Sequence, residues 1–407
     1  MSPLRILWTL PYLPWPVTSG GKARQYHLIR EMAARGHRIT LLVQSKTPAD
    51  EATRRVLGAL CHELIVLPRR PLKHPLTLWR AATSGLPLLT SVNGHAPALS
   101  ARFEQLLSAQ RWDIVQVEHS YGFEPFAGAL RRHRQPFVLT EHNVESELGA
   151  ATYGKWPGWA RGLAALDQRR ARRWERQVLS QATAIIAVTQ ADAQQLQAIG
   201  GRPTHVVSNG VDTRAFAGVQ PDAQARRVLF LGNYEYAPNV DAVEWALSDI
   251  APRVWSEAPD VRFCICGHGM PASWAQRFAD PRIEWRGYVP DLAEVQRHSA
   301  VFMAPLRAGG GSKLKVLEAM AAGLAVVSTR EGLSGLPVQH GVQALAADDA
   351  PAFAQALTQL LSAPTQARAL GEAARQMVRD TFDWATAAEQ LEQVYASVLR
   401  HPSAEAA

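Results

Sequence analysis

The sequence predicts an α/β protein of two doubly wound, Rossmann-like domains of similar size facing each other across a cleft, and three observations carry that prediction. The 407 residues exceed what one hydrophobic core usually holds. Short continuous apolar runs alternate with amphipathic stretches, as buried parallel strands and their crossover helices do. The rhythm stops near an Ala/Gly/Gln/Pro-containing stretch at residues 215–224 and then restarts. Domains are expected over residues 1–217 and 218–382, with a last helix over 383–400 crossing back to the first.

In the first half the apolar runs fall at residues 6–10, 39–43, 64–67, 114–117, 137–140 and 184–188. Between the first two, Tyr26, Ile29, Met32 and Ala33 repeat at helical spacing over residues 22–34 until Gly36 stops them, which makes a βαβ unit. The turn ahead of that helix is Ser19-Gly20-Gly21-Lys22. It follows the first strand, where doubly wound sheets meet their ligands, but it completes neither a dinucleotide fingerprint nor a phosphate loop. A ligand-binding turn and a plain turn both stay open.

The fourth and fifth strands end in Glu118-His119-Ser120 and Glu141-His142-Asn143. A histidine beside carboxylates can orient a hydroxyl or titrate near neutral pH, so His119 and His142 are candidates, against the plainer reading of satisfied hydrogen-bonding residues. Residues 161–177 carry six arginines around Leu163, Leu166, Trp174 and Val178, with Trp156 and Trp159 just upstream. This segment reads either as a solvated basic helix or as a face lying on anionic lipid.

In the second half strands are expected at residues 228–231, 261–266, 283–285, 301–304 and 325–328, and helices at 240–257, 292–298 and 312–322. The most informative stretch is a strand, the turn Gly309-Gly310-Gly311-Ser312 and a helix opening on Lys313-Leu314-Lys315. Glycines let the backbone approach a ligand, Ser312 can cap the helix, and the helix N-terminus favours an anion, so a phosphate is expected there. Only six of the 43 cationic residues are lysine, yet two of them fall in this turn. An ammonium is a compact point charge suited to a diphosphate. Lys315 and Glu318, three apart, share a helix face from which base and acid can reach phosphate and ribose. The tail over residues 384–399 carries the apolar stripe Leu391, Val394, Tyr395 and Val398.

Composition bounds the rest. At 47% hydrophobic and 19% charged, the chain can bury a large core, which excludes a disordered or fibrous protein. The net charge of +7 suits a polyanionic ligand or an anionic membrane, while nucleic acid is disfavoured because no compact binding motif accompanies the charge. Cys61, Cys264 and Cys266 read as reduced core residues. No Asp-x-Asp and no metal-binding histidine spacing occurs, so no metal is expected. The run at residues 5–10 breaks at Pro11, Pro14 and Pro16, and about 18 apolar residues never run together. A cytoplasmic protein without a leader is expected, with peripheral contact on the inner face of the membrane left open.

Taken in order, these residues resemble the GT-B glycosyltransferases, in particular the retaining enzymes of family 4. The likeness rests on Ser19 to Lys22, Gly36-His37, Glu141-His142-Asn143, Asn209-Gly210-Val211-Asp212, Gly232-Asn233 through Pro238-Asn239, and Lys315 to Gly323. It implies a metal-independent hexosyltransferase with no cofactor beyond a nucleotide-diphosphate sugar as co-substrate. The acceptor would be a glycan or a lipid-linked glycan in bacterial polysaccharide or glycoconjugate synthesis. The resemblance puts Glu318 on the ribose, and Lys315 and Lys313 on the diphosphate. Gly20, Gly21 and Lys22 would lie on the phosphate side of the donor, with Gly232, Asn233 and the Gly309 to Ser312 turn in its site. His142 would meet the sugar, with His119, Glu141 and Asn143 on the sugar and acceptor side; His142, Lys315 and Glu318 are the catalytic candidates. Two features depart from the family pattern: Gly310 stands where an acid would precede Glu318 by eight residues, and no Arg or Lys follows the strand that ends at Gly232-Asn233. A nucleotide-sugar epimerase and a catalytically idle nucleotide-sugar-binding protein remain as alternatives.

Overall fold

A computed structural model describes residues 2–71, 74–94, 96–147, 161–309 and 313–400. The chain divides into two units, Met1–Ser208 joined by the residues from Ala387 onward, and Asn209–Thr386. The division falls after Ser208 instead of at residue 217, because Val211 already bonds to Phe382 of the second unit through its backbone.

The first unit contains strands β1 (Arg5–Leu10), β2 (Arg38–Ser45), β3 (Glu63–Pro68), β4 (Ile114–Glu118), β5 (Val138–Thr140), β6 (Ala184–Ala187) and β7 (Thr204–Val206). They form one parallel sheet in the order β3-β2-β1-β4-β5-β6-β7. The strands are apolar on both faces because helices cover both. On one side Leu7, Val117, Leu139 and Ile185 pack with Phe103, Phe126 and Val178, while their neighbours Ile6, Trp8 and Ile186 are also fully buried. The order reverses between β2-β1 and β4-β5, which sets the carboxyl ends of β1, β4 and β5 side by side. Strand β7 was not expected: three half-buried residues at the sheet edge carry too little pattern to show.

The second unit repeats the plan with β8 (Arg227–Asn233), β9 (Arg262–His268), β10 (Ile283–Gly287), β11 (Val301–Ala304), β12 (Ala325–Ser328) and the two-residue β13 (Leu345–Ala346). Its parallel order is β10-β9-β8-β11-β12-β13. Alternate residues of β8 feed different layers: Val228 and Phe230 join Phe263, Ile265 and Phe353, while Leu229 and Leu231 join Cys264, Cys266 and Val316. The cysteines are free, and the sulfurs of Cys264 and Cys266 lie 3.5 Å apart on one strand face.

The last helix, Trp384–Arg400, buries Leu391, Val394, Tyr395 and Val398. Glu392 accepts from Arg35 at 2.8 Å and pairs with His37 at 3.0 Å, Gln390 accepts from the Ser208 amide at 3.1 Å, and the Tyr395 hydroxyl donates to Gln116. Its first residue, Trp384, instead packs on Gly210 of the second unit, where a Cβ would lie 2.8 Å from the indole. Among the described residues no helix is long and apolar enough to cross a membrane.

Candidate active site

In the first unit the helix after β1 begins at Gly20, so Gly20 and Gly21 form its first turn and are not a loop before it. Ser19 is the reason: in extended conformation, its hydroxyl accepts from the Lys22 amide at 3.5 Å and caps the helix two residues earlier than the apolar spacing indicates. Gly20 is exposed and Lys22 half-buried. A Cβ on Gly21 would come within 3.2 Å of the Tyr12 hydroxyl and 3.6 Å of His142 Nδ1. The histidine at the end of β5 thus lies against the glycine turn after β1.

Behind His142 is a buried acid. Glu118 Oε2 accepts from Gln25 Nε2 at 2.6 Å and lies 3.3 Å from His142 Nε2, while Glu118 Oε1 accepts from Gln116 Nε2 at 2.5 Å. Burial pushes the Glu118 carboxyl up, but hydrogen bonds from His142 and Gln116 and the nearby His119 leave it below the usual range. Burial pushes His142 down to about 4, with His119 adding and Glu118 opposing, so its ring is neutral at neutral pH. We assign the ring proton to Nε2, since N–H donation to an ionised carboxylate outweighs acceptance from the Gln25 amide 3.2 Å away. Nδ1 is then an acceptor turned to the glycine turn, suited to a substrate hydroxyl. Arg24 is buried in the same region and its guanidinium is pushed down to about 10 by burial, with Glu118 opposing.

His119 stands at φ 64, a backbone conformation rare outside glycine, and its ring centroid lies 4.4 Å from that of His142. Its Nδ1 is 3.1 Å from Glu145 Oε1, and its Nε2 is 3.4 Å from the Tyr12 hydroxyl. Glu141, expected on the acceptor side, is fully buried and faces inward; its Oε1 accepts from the Ser120 amide at 2.7 Å. Burial and the nearby Glu145 and Glu175 raise this carboxyl well above its ordinary range. Asn143 is half-buried beside it. His119, Glu141 and Glu145 offer ligand atoms within 4.8 Å of one another, the one such group among the described residues.

In the second unit the strand β11 leads to Gly309 and then to the helix Leu314–Ala321. Gly310, Gly311 and Ser312 lie outside the described residues. The position directly before the helix is Lys313, which makes no side-chain cap bond. Its ammonium is buried, donates to the Gly309 carbonyl and pairs with Glu331 at 3.2 Å. Gly309 has φ 124, a conformation that favours glycine, and a Cβ there would be 2.9 Å from the Tyr236 hydroxyl.

Lys315 and Glu318 share one side of the helix while Val316, Leu317, Ala319 and Met320 enter the core. The Lys315 ammonium donates to Asn239 Oδ1 and lies 4.6 Å over the Phe230 ring. Burial, then Lys313, pushes Lys315 down to about 7 against the pull of Glu318. Burial pushes Glu318 up to about 7 against the pull of Lys315. Gly232 and Asn233 end β8 beside them: Asn233 O accepts from Asn239 Nδ2 at 2.7 Å, and Asn233 Oδ1 accepts from the Glu235 amide at 3.1 Å. The sequence reading passed over Asn239, Gln25, Glu118 and Glu331 as site residues. Two of them had a signal: Glu118 stands beside His119 in the cluster that ends the fourth strand, and Asn239 is part of the Pro238-Asn239 pair in the family resemblance.

Residues 18–215 match the family described as Glycosyltransferase Family 4, and residues 225–363 match Glycosyl transferases group 1. A glycogen synthase of Mycobacterium tuberculosis is 25% identical over 98% of this chain and 95% of its own length. A phosphatidyl-myo-inositol mannosyltransferase of the same species is 32% identical over 50% of this chain and 56% of its own. Among solved structures, sucrose-phosphate synthase from Thermosynechococcus elongatus superposes with TM-score 0.70 at 18% identity, over 97% of this chain and 99% of that one. Anabaena Alr3699/HepE, solved in complex with UDP, superposes with TM-score 0.67 at 17% identity, over 97% and 100%. With its two halves matching these two families in turn, and each half a parallel sheet wound in the same order, the chain belongs to the family 4 glycosyltransferases and has the GT-B fold.

Proposed function

We propose that this glycosyltransferase moves a sugar, with retention of anomeric configuration, from a nucleotide-diphosphate donor to a glycan or lipid-linked acceptor in polysaccharide or glycoconjugate assembly. The observation that carries the reading is the placement of half-buried Lys315 and Glu318 on one side of the helix after β11, the ammonium held on Asn239 Oδ1 and over the Phe230 ring; burial moves both groups to about 7. A cation so short of solvent has much to gain from an arriving diphosphate. The Anabaena protein solved with UDP and with UDP-glucose supports a donor of this class.

In the proposed reaction the bond between the sugar's anomeric carbon and the diphosphate breaks, and its electrons leave with the phosphate oxygen. Lys315 and the first-turn amides of its helix stabilise that charge. The acceptor oxygen bonds to the anomeric carbon on the face the diphosphate leaves, and the hydroxyl proton passes to the departing phosphate. Glu318 accepts from the ribose, the turn at Gly20 and Gly21 lies on the phosphate side of the donor, and neutral His142 accepts a sugar hydroxyl at Nδ1.

A thermal-shift panel of UDP, GDP, ADP and TDP sugars tests this reading, since a ligand bound only by the native state raises Tm by mass action. One sugar nucleotide should stabilise the protein clearly above the rest; no shift with any of them would count against the proposal. Affinity for that nucleotide should peak near pH 7. Toward alkaline pH the free protein loses the Lys315 proton, and the association constant drops by about tenfold per pH unit. Toward acid Glu318 gains a proton and becomes a weaker, uncharged acceptor. Lys315→Arg should flatten the alkaline limb, because a guanidinium stays charged.

A further inference from the structure

We propose that a face shared by three helices of the first unit, Pro75–Thr83, Leu88–Gly94 and Arg161–Gln181, docks on the surface of an anionic lipid bilayer. The inference goes beyond sugar transfer and does not depend on it.

Among the described residues eleven large apolar side chains are exposed, and seven of them stand on these helices. Leu76, Leu78 and Trp79 are on the first, Leu88 and Leu89 on the second, and Leu163 and Leu166 on the third. Trp79 is 60% exposed and Leu163 59%. Scattered exposed leucines need no explanation, but a majority gathered on neighbouring helices marks an interaction surface. The helices adjoin: Asp167 accepts from the Leu88 amide at 2.9 Å, and Arg170 donates to the Ala81 carbonyl at 3.4 Å. Leu163, Leu166, Asp167 and Arg170 follow the i, i+3, i+4, i+7 pattern, so the exposed leucines share the side of the long helix that meets the other two. Ala164, Val178 and Leu179 of the same helix are buried and tie it to the unit.

Charge selects the partner. The strip bordering Leu166 is Arg169, Arg172, Arg173 and Arg176, all exposed, and none is ion-paired among the described residues. The three helices carry two acids, Asp167 and Glu175. The first is engaged with Leu88, and the second is buried with its Oε1 accepting from the Ser146 amide. An apolar patch beside uncompensated arginines suits acyl chains next to anionic headgroups. A second copy of the chain docking symmetrically would bring two such arginine strips together, which like-charge repulsion opposes. Trp156 and Trp159, just upstream in the sequence, lie outside the described residues.

The test is flotation of the full chain with vesicles of phosphatidylethanolamine and phosphatidylglycerol, and with vesicles of phosphatidylcholine alone. Binding is expected to the anionic vesicles and to weaken with salt. Arg169→Gln with Arg173→Gln should lower partitioning by about thirtyfold, from about 1 kcal/mol per basic residue near the surface. Leu78→Glu with Trp79→Glu should lower it by at least about tenfold. All four positions are exposed, so an unchanged Tm should accompany both losses. Equal binding to both vesicle types, no binding to either, or indifference to both double variants overturns the proposal. So does sedimentation equilibrium showing a dimer that Leu78→Glu with Trp79→Glu dissociates.

Discussion

Replacing Lys315 by alanine will lower turnover at saturating donor by about 10²–10³-fold, on the order of 3 to 4 kcal/mol of barrier, as for one charge-stabilising donor removed from an enclosed site. Turnover within threefold of the parent protein would remove Lys315 from the chemistry. Lys315→Met separates this role from folding. Burial lowers the folded-state value of Lys315 from 10.5 to about 7, so between those pH values the folded protein binds fewer protons than the unfolded chain, and its stability climbs with pH. Below that window the buried charge costs stability. Lys315→Met should therefore lose the rise in Tm from pH 7 to 10, keep or raise Tm at pH 7, and still fail to turn over. A drop of several degrees at pH 7 would show the ammonium to be structural.

Glu118→Ala will strongly destabilise the first unit. It removes the shared acceptor of Gln25, Gln116 and His142 and the acid that offsets buried Arg24. Breaking a buried charged group out of its network costs about 3–5 kcal/mol, a fall in Tm of roughly 10 °C for a unit of this size. Glu118→Gln keeps the shape but removes the charge that holds the His142 proton on Nε2, so about a tenfold loss of turnover is expected with a smaller loss of Tm. Nitrogen chemical shifts of His142 should then show the other tautomer populated. Because Glu118 is more acidic when folded, its contribution is complete above about pH 4.5 and disappears on acidification. The glutamine variant should be less sensitive to acid across that range, and an identical pH profile for parent and variant would refute the assignment.

Much of this was legible in the residues. Strands buried on both faces announce themselves as apolar runs, and eleven of the thirteen did. Lys315 and Glu318 were visible because their relation is local, three residues along one helix. What could not be read was anything built by topology. Gln25, Glu118 and His142 are far apart in the chain and meet only because the sheet sets the ends of β1, β4 and β5 side by side. The inward turn of Glu141 depends on the Ser120 amide waiting beneath it, and the engagement of Lys313 depends on Glu331, eighteen residues on. Motif and spacing identify a residue type, but its partners are assigned by the fold.

The final helix has a consequence for dissecting the protein. Its first residues belong to the second unit and the rest to the first, so the first unit is not a continuous stretch of chain. A fragment ending at Ser208 would leave His37 and Gln116 without Glu392 and Tyr395 and would bare the seat of Leu391 and Val394. Producing that unit in isolation calls for a circularly permuted gene or for supplying residues 387–400 as a separate peptide.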